Sequence, residues 1–235
     1  MHLKGRDTIN SRQLIHELLA PCIDNQASVV RLFNAVPDSP LLDVHSNDSP
    51  RMRYVEYKEI TNYIPTKPGE RNVKIYSSTD KKLLLELTSC EIVPGQVITC
   101  AVFGSLDDLK FIPIIDDINE TVMPDQTKVR FYNLDSSTIA LTFGSNSSSI
   151  TTDLASGDGT KYTQINPGDY NLQCSLLNIN TNSKKIKISF NPGKIYTVYI
   201  VGSVDPNSPN YSQLNIPQVV LVVDGNTLFN QCIWY

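Results

Sequence analysis

An all-β chain of two tandem sandwich domains, preceded by one short N-terminal helix, is the fold class this sequence predicts. Three observations point there: an internal repeat with a period near one hundred residues, alternation of apolar and polar residues within each copy, and Pro-Gly turns between the alternating runs. At 235 residues the chain is long for one domain and comfortable for two.

The repeat is read by comparing the chain with itself. Val30-Arg31-Leu32-Phe33-Asn34 returns as Val129-Arg130-Phe131-Tyr132-Asn133, an offset of 99. At the same offset Tyr63 returns as Tyr162, Pro68-Gly69 as Pro167-Gly168 and Val73 as Leu172. Pro94-Gly95 matches Pro192-Gly193 and Gly104-Ser105 matches Gly202-Ser203 at an offset of 98. The closing runs, Ile112 to Asp116 and Val220 to Asp224, align at 108, because the second copy carries an inserted loop, Asp205 to Tyr211. These matches set the expected layout: an N-terminal arm over 1–27, a first sandwich over 28–118, a linker over 119–127, a second sandwich over 128–226 and an apolar tail over 227–235. So short a linker implies two separately folded sandwiches held in a restricted orientation.

Within each copy the pattern is that of strands. Tyr170, Leu172, Cys174 and Leu176 alternate with polar residues, as do Ile186, Ile188 and Phe190, and then Tyr196, Val198 and Ile200. A period of two gives a sheet one buried face and one wet face. Lys67-Pro68-Gly69-Glu70, Val93-Pro94-Gly95-Gln96, Asn166-Pro167-Gly168-Asp169 and Asn191-Pro192-Gly193-Lys194 are turn sequences. There Pro presets φ and Gly accepts the positive φ that follows. Tyr196, three residues after Gly193, matches the tyrosine corner of Greek-key, immunoglobulin-like sandwiches, whose phenol bonds back to the backbone. Ile98 holds that position in the first copy, so packing is expected to secure that corner.

The N-terminal helix is expected from Asn10 as cap, with Ile9 and Leu14 at the spacing of a hydrophobic staple and Pro21 as the stop. Leu14 with Leu18, and Ile15 with Leu19, then share one face and need a surface to cover them. Phe229 and Trp234 in the tail are similarly apolar. These six residues are the candidate docking or oligomer contacts, on a sandwich, on each other, or on a second copy of the chain.

Composition excludes some functions. The net charge is −4, from 24 acidic and 20 basic residues without long runs, so there is no basic footprint for nucleic acid. The longest apolar stretch near the start, Leu18 to Ile23, is far short of a membrane span, and the N-terminus lacks the pattern of a secretory signal. Five cysteines at 22, 90, 100, 174 and 232 show no Cys-x-x-Cys pair. Cys90, Cys100 and Cys174 fall on the inward phase and are expected as buried thiols, with a Cys90–Cys100 bridge left open.

The search for catalytic motifs is negative. The zincin, nucleophile-elbow, dinucleotide and phosphate-loop patterns are missing, and only His2, His16 and His45 could serve as a histidine base. His45 reads as a solvated loop residue. No catalytic, cofactor or metal residue is assigned. Acidic residues gather near the junction (Asp107, Asp108, Asp116, Asp117, Glu120, Asp125) and could supply cation ligands, though loop carboxylates suit turns equally well. Tyr63, Tyr162, Tyr170 and Tyr196 are explained by packing, which leaves Tyr54, Tyr57, Tyr199 and Tyr211 less constrained; Tyr54, Tyr57 and Tyr211 are the candidate ligand contacts. Asn119, Asn146 and Asn210 open glycosylation sequons.

The stretch Val30-Arg31-Leu32-Phe33-Asn34-Ala35-Val36-Pro37-Asp38-Ser39-Pro40-Leu41-Leu42-Asp43-Val44 resembles the opening motif of the bacterial DUF4397 family, V-R-x-x-N-A-x-P-D-x-P-x-x-D-V. Tyr63 with Pro68-Gly69, and Pro94-Gly95, are similar to later blocks of that family. The second copy keeps Val129, Arg130 and Asn133 but has Asp135-Ser136-Ser137 and Leu141-Thr142 where the motif expects Pro-Asp-x-Pro and Asp-Val. The resemblance implies tandem immunoglobulin-like or transthyretin-like sandwiches, mostly on envelope-associated proteins, and no functional residue set. The expected role is therefore a non-catalytic structural or interaction protein with a protein or cell-surface partner, no cofactor and no membrane span. A carbohydrate- or small-ligand-binding module is the alternative.

Overall fold

A computed structural model of the chain describes residues 27–118, 122–145, 148–177, 184–202 and 217–224. Sixteen strands account for the regular structure of these residues, and they divide into four sheets of four strands. In the first half β1 (Ser28–Asn34), β4 (Ile64–Thr66), β7 (Val97–Ser105) and β8 (Asp108–Ile115) form one sheet in the order β4-β1-β7-β8. Opposite it, β2 (Leu42–Ser46), β3 (Ser49–Val55), β5 (Gly69–Ser77) and β6 (Leu83–Ile92) form β3-β2-β5-β6. The second half repeats this topology with β9 (Thr127–Asn133), β12 (Thr163–Ile165), β15 (Ile195–Val201) and β16 (Gln218–Val223) in the order β12-β9-β15-β16. Its facing sheet, β11-β10-β13-β14, comprises β10 (Ile139–Ser145), β11 (Ser148–Leu154), β13 (Gly168–Leu176) and β14 (Lys184–Phe190). Every ladder closes within its own half, so no strand is exchanged.

Each sandwich has its own core. Leu32, Val36, Leu42, Val44, Val55, Val73, Ile75 and Val102 fill the first. Val129, Phe131, Leu141, Phe143, Leu172, Phe190, Tyr196 and Val198 are among those filling the second. A third cluster joins them: Phe33, Ala101, Phe103 and Ile114 from the first half pack on Leu134, Tyr199 and Val201 from the second. The sheets containing β1 and β9 thus face each other, and are called the inner sheets below. The other two sheets are the outer ones.

Burial on both faces departs from the one-wet-face reading of the alternation. In β15 Tyr196, Val198 and Ile200 point into the second core, while Thr197, Tyr199 and Val201 are buried against the first half. β1 and β7, and likewise β9 and β15, pair in parallel, the arrangement usual where both faces are covered. Tyr199 is accordingly fully buried, 4.9 Å from Phe33 between ring centroids, rather than loosely constrained.

Local expectations fare well where they can be followed. Asn191 N–H donates to the Tyr196 phenol at 3.1 Å, the bond a tyrosine corner requires. Ile98 in the first copy is buried without such a bond. Cys90, Cys100 and Cys174 are free thiols; Cys174 is buried, which pushes its thiol up to about 12, whereas Cys90 and Cys100 are only half-buried against the first core rather than fully enclosed as expected. His45 lies on β2 rather than in a loop, its ring 4.9 Å from that of Tyr76. The N-terminal helix, Cys22 and Cys232, the three sequons and the inserted loop at 205–211 lie outside the described residues.

Candidate functional site: the buried junction

The repeated Val-Arg-x-x-Asn motif places two kinds of side chain. The asparagines clamp the loop that leaves each first strand. Asn34 Nδ2 donates to Ser39 Oγ at 2.9 Å and to the Val55 carbonyl at 3.2 Å, while its Oδ1 accepts from Val36 N–H at 3.1 Å. Asn133 does the same with the Ser137 and Leu154 carbonyls, both at 2.8 Å, and Asp135 N–H at 2.9 Å. The arginines point the other way, into the interface between the inner sheets.

There the two halves build matching constellations. Arg31 Nε donates to Thr99 Oγ1 at 2.7 Å, and Arg130 Nε to Thr197 Oγ1 at 2.7 Å. Each threonine hydroxyl in turn donates a hydrogen bond to the carboxylate of its half, Asp116 or Asp224. Tyr63 and Tyr162 donate to those same carboxylates, both at 2.6 Å. Each guanidinium also lies 4.4 Å from the ring centroid of its own tyrosine. The cluster then crosses the junction. Arg130 Nη2 reaches Asp116 at 2.7 Å and Nη1 reaches the Ile115 carbonyl at 2.7 Å, while Arg31 Nη2 approaches Asp224 at 3.4 Å.

Two guanidinium and two carboxylate groups are buried here, with Arg31 1% and Asp116 2% exposed. Taking ions out of water is costly, and here each guanidinium offsets that cost with a threonine hydroxyl and a carboxylate. Desolvation opposes the charge on Arg31, but Tyr63 and Asp116 outweigh it and the net shift is upward. Arg130 is raised in the same way, chiefly by Asp224 against its own desolvation. Burial, with the charge of Asp116 beside it, lifts the Asp224 carboxyl to about 6. Tyr63 and Tyr162 are pushed well above the usual phenol range, by desolvation first and then by the carboxylates they bond. Such groups hold one another in place.

Glycine and tyrosine complete the junction. A side chain at Gly202, where φ is +66°, would run into the Tyr57 hydroxyl, and one at Gly159 into the Tyr132 ring. Tyr57, a candidate ligand contact, is therefore packed against the second half, its hydroxyl buried and without a hydrogen-bond partner. Tyr54 is 58% exposed, at positive φ, with its N–H held by Asp43 Oδ1 at 3.0 Å. Asp43, the second aspartate of the opening motif, also accepts from Ser78 and Lys81. Tyr211, and the docking candidates Leu14, Ile15, Leu18, Leu19, Phe229 and Trp234, lie outside the described residues.

The acidic group near the junction is not one cluster. Asp116 is turned inward to the arginines, Asp107, Asp108, Asp117 and Asp125 are exposed, and Glu120 lies outside the described residues. Among the described residues no group of three or more His, Cys, Asp or Glu is placed to hold a metal ion, and no helix is long and apolar enough to cross a membrane. What sequence reasoning missed was the role of the arginines, although Arg31 and Arg130, Tyr63 and Tyr162, and Asp116 and Asp224 are all paired by the repeat.

The molecule is thus a protein of two β-sandwiches joined through a shared internal charge cluster. Residues 28–143 match the family described as Domain of unknown function (DUF4397), and this part of the chain belongs to that family. The match takes in the whole first sandwich and continues through β9 into β10, so Arg31, Thr99, Asp116 and Arg130 all fall inside it. No curated protein matches the chain. Among solved structures, CBMbc, a family CBM26 module from Eubacterium rectale Amy13K in complex with maltoheptaose, is similar to it. That likeness covers 83% of this chain and 96% of the other at 11% identity, with a TM-score of 0.25, too low to bear on ligand or fold.

Proposed function

We propose that this is a non-catalytic structural or interaction protein whose two sandwiches act as one unit, presenting their outer sheets to a macromolecular partner. The observation that carries this reading is the junction. The strongest polar constellation among the described residues is spent on holding the halves together. A buried charge cluster with few alternatives in register fixes orientation more than it adds stability. Fixed orientation is what a protein needs when it must offer two surfaces at a set spacing. The family resemblance adds the setting, an assembly at a bacterial cell envelope.

The test is chemical cross-linking of the full chain with envelope fractions, read by mass spectrometry. Cross-links from lysines on both outer sheets, Lys74 and Lys187, to one partner are the expected result. Asp116→Asn, which loosens the junction, should weaken the paired pattern. Cross-links scattered without a common partner, or substrate turnover by the purified chain, would overturn the reading. The carbohydrate-binding alternative now rests, among the described residues, on Tyr54, the one exposed ring of the two that remain in view. Saturable sugar binding lost in Tyr54→Ala would favour it.

A further inference from the structure

The two sandwiches differ at one end, and the difference opens a pocket in the first. In the second, five aromatic rings pack together there. Phe143 lies 4.9 Å from Phe131 and stacks on Tyr170 at 4.9 Å, and Phe190 lies 5.7 Å from Tyr170 and 5.0 Å from Tyr196. The strand registers identify their counterparts. Ser46 pairs with Val73 as Phe143 pairs with Leu172; Arg71 pairs with Cys90 as Tyr170 pairs with Ile188; Ile92 pairs with Gly69 as Phe190 pairs with Gly168. Ile98 pairs with Val30 as Tyr196 pairs with Val129, and Leu32 stands for Phe131.

All five replacements, Leu32, Ser46, Arg71, Ile92 and Ile98, line a cavity of about 50 Å³ between the sheets of the first sandwich. An open groove of about 720 Å³ shares Ser46, Arg51, Thr66 and Arg71 with it, and Lys67 stands on the groove wall. Arg51 and Arg71 spend only Nη2 on backbone carbonyls, of Pro65 and of Lys67 and Pro68. Among the described residues no carboxylate forms an ion pair with Arg51, Lys67 or Arg71, although Glu91 lies on the cavity lining. Close packing is the rule in protein interiors. A void where the sister domain places five rings, with unpaired cations at its mouth, is a site shaped for something else.

We propose that this pocket binds a small amphipathic anion, a carboxylate on a short unbranched tail of about three carbons, as a cavity of about 50 Å³ can take, with the tail among Leu32, Val44, Val73 and Ile98 and the head at Arg51 and Arg71. This stands apart from the interaction reading and does not need it. A charged head should improve binding about tenfold or more over a neutral one, as a charge-assisted hydrogen bond does.

Titration calorimetry of the full chain with butanoate and with butanol tests it. Saturable, one-to-one butanoate binding is expected, with butanol about tenfold weaker. The double variant Ser46→Phe with Arg71→Tyr copies the second sandwich and should abolish binding. Should that variant fail to fold, Arg51→Gln should weaken butanoate about tenfold with an unchanged melting temperature. No saturable butanoate binding to the full chain would overturn the proposal, as would equal affinity for the two probes or undiminished binding in both variants.

Discussion

The first and second sandwiches share a topology strand for strand, yet one is closed at the end where the other is hollow. Phe143, Tyr170, Phe190 and Tyr196 seal the second, and Ser46, Arg71, Ile92 and Ile98 leave the first open. At the junction the opposite holds: Arg, Thr, Asp and Tyr recur in both halves and interlock. After duplication, the buried interface is kept twice, while the far end is free to diverge. What is shared specifies how the halves meet, and what differs specifies what one of them can hold.

The largest effect should come from breaking the shared part. Asp116 receives Arg31, Arg130, Thr99 and Tyr63, so Asp116→Ala leaves two buried guanidinium groups to share Asp224 at longer range. A loss of about 3–5 kcal/mol in urea unfolding is expected, the cost of leaving a buried ion without its partner. A loss below 1 kcal/mol would show that the cluster is solvated.

At the other end Phe190→Ala and Ile92→Ala should differ in cost. Phe190 touches three rings and should cost about 3–5 kcal/mol, whereas Ile92 already borders a cavity and should cost about 2 kcal/mol. Equal losses would mean that the first sandwich is as tightly filled as the second.

Asp224 sets a pH dependence. Its folded value of about 6 lies above the 3.8 of an ordinary aspartate, so between those values the folded state binds the extra proton. The contribution of this group to stability is therefore greatest below about pH 4 and falls as pH rises through about 6. The wild-type curve minus that of Asp224→Asn should slope downward across this window. An upward slope would contradict the assigned direction.

The smallest effect is local. Tyr196→Phe removes the acceptor for Asn191 N–H and should cost about 1 kcal/mol, while Ile98→Val, at the matching corner, removes no hydrogen bond. Thermal melts of the two variants distinguish a corner held by a bond from one held by packing.

Much of the fold was legible in the sequence because a repeat is self-verifying: Tyr63 with Tyr162 and Pro68-Gly69 with Pro167-Gly168 lock the strands and turns in place. The junction was only half legible. Arg31 and Arg130 sit on the phase that alternation assigns to water, and nothing local says that another sheet covers that face. Asp116 and Asp224 close the two matched runs, yet they lie 85 and 193 residues from Arg31. The hollow end was hidden for a different reason. The loop after Asn133 is two residues shorter than the loop after Asn34, so Ser46 matches Phe143 at an offset of 97 that the flanking repeats do not show.

Whether the buried charge cluster makes two sandwiches into one cooperative unit is read from scanning calorimetry of the full chain. A single transition is expected, its calorimetric and van't Hoff enthalpies equal, which splits into two in Asp116→Ala. Two independent transitions in the wild-type chain, unchanged by that substitution, would contradict it.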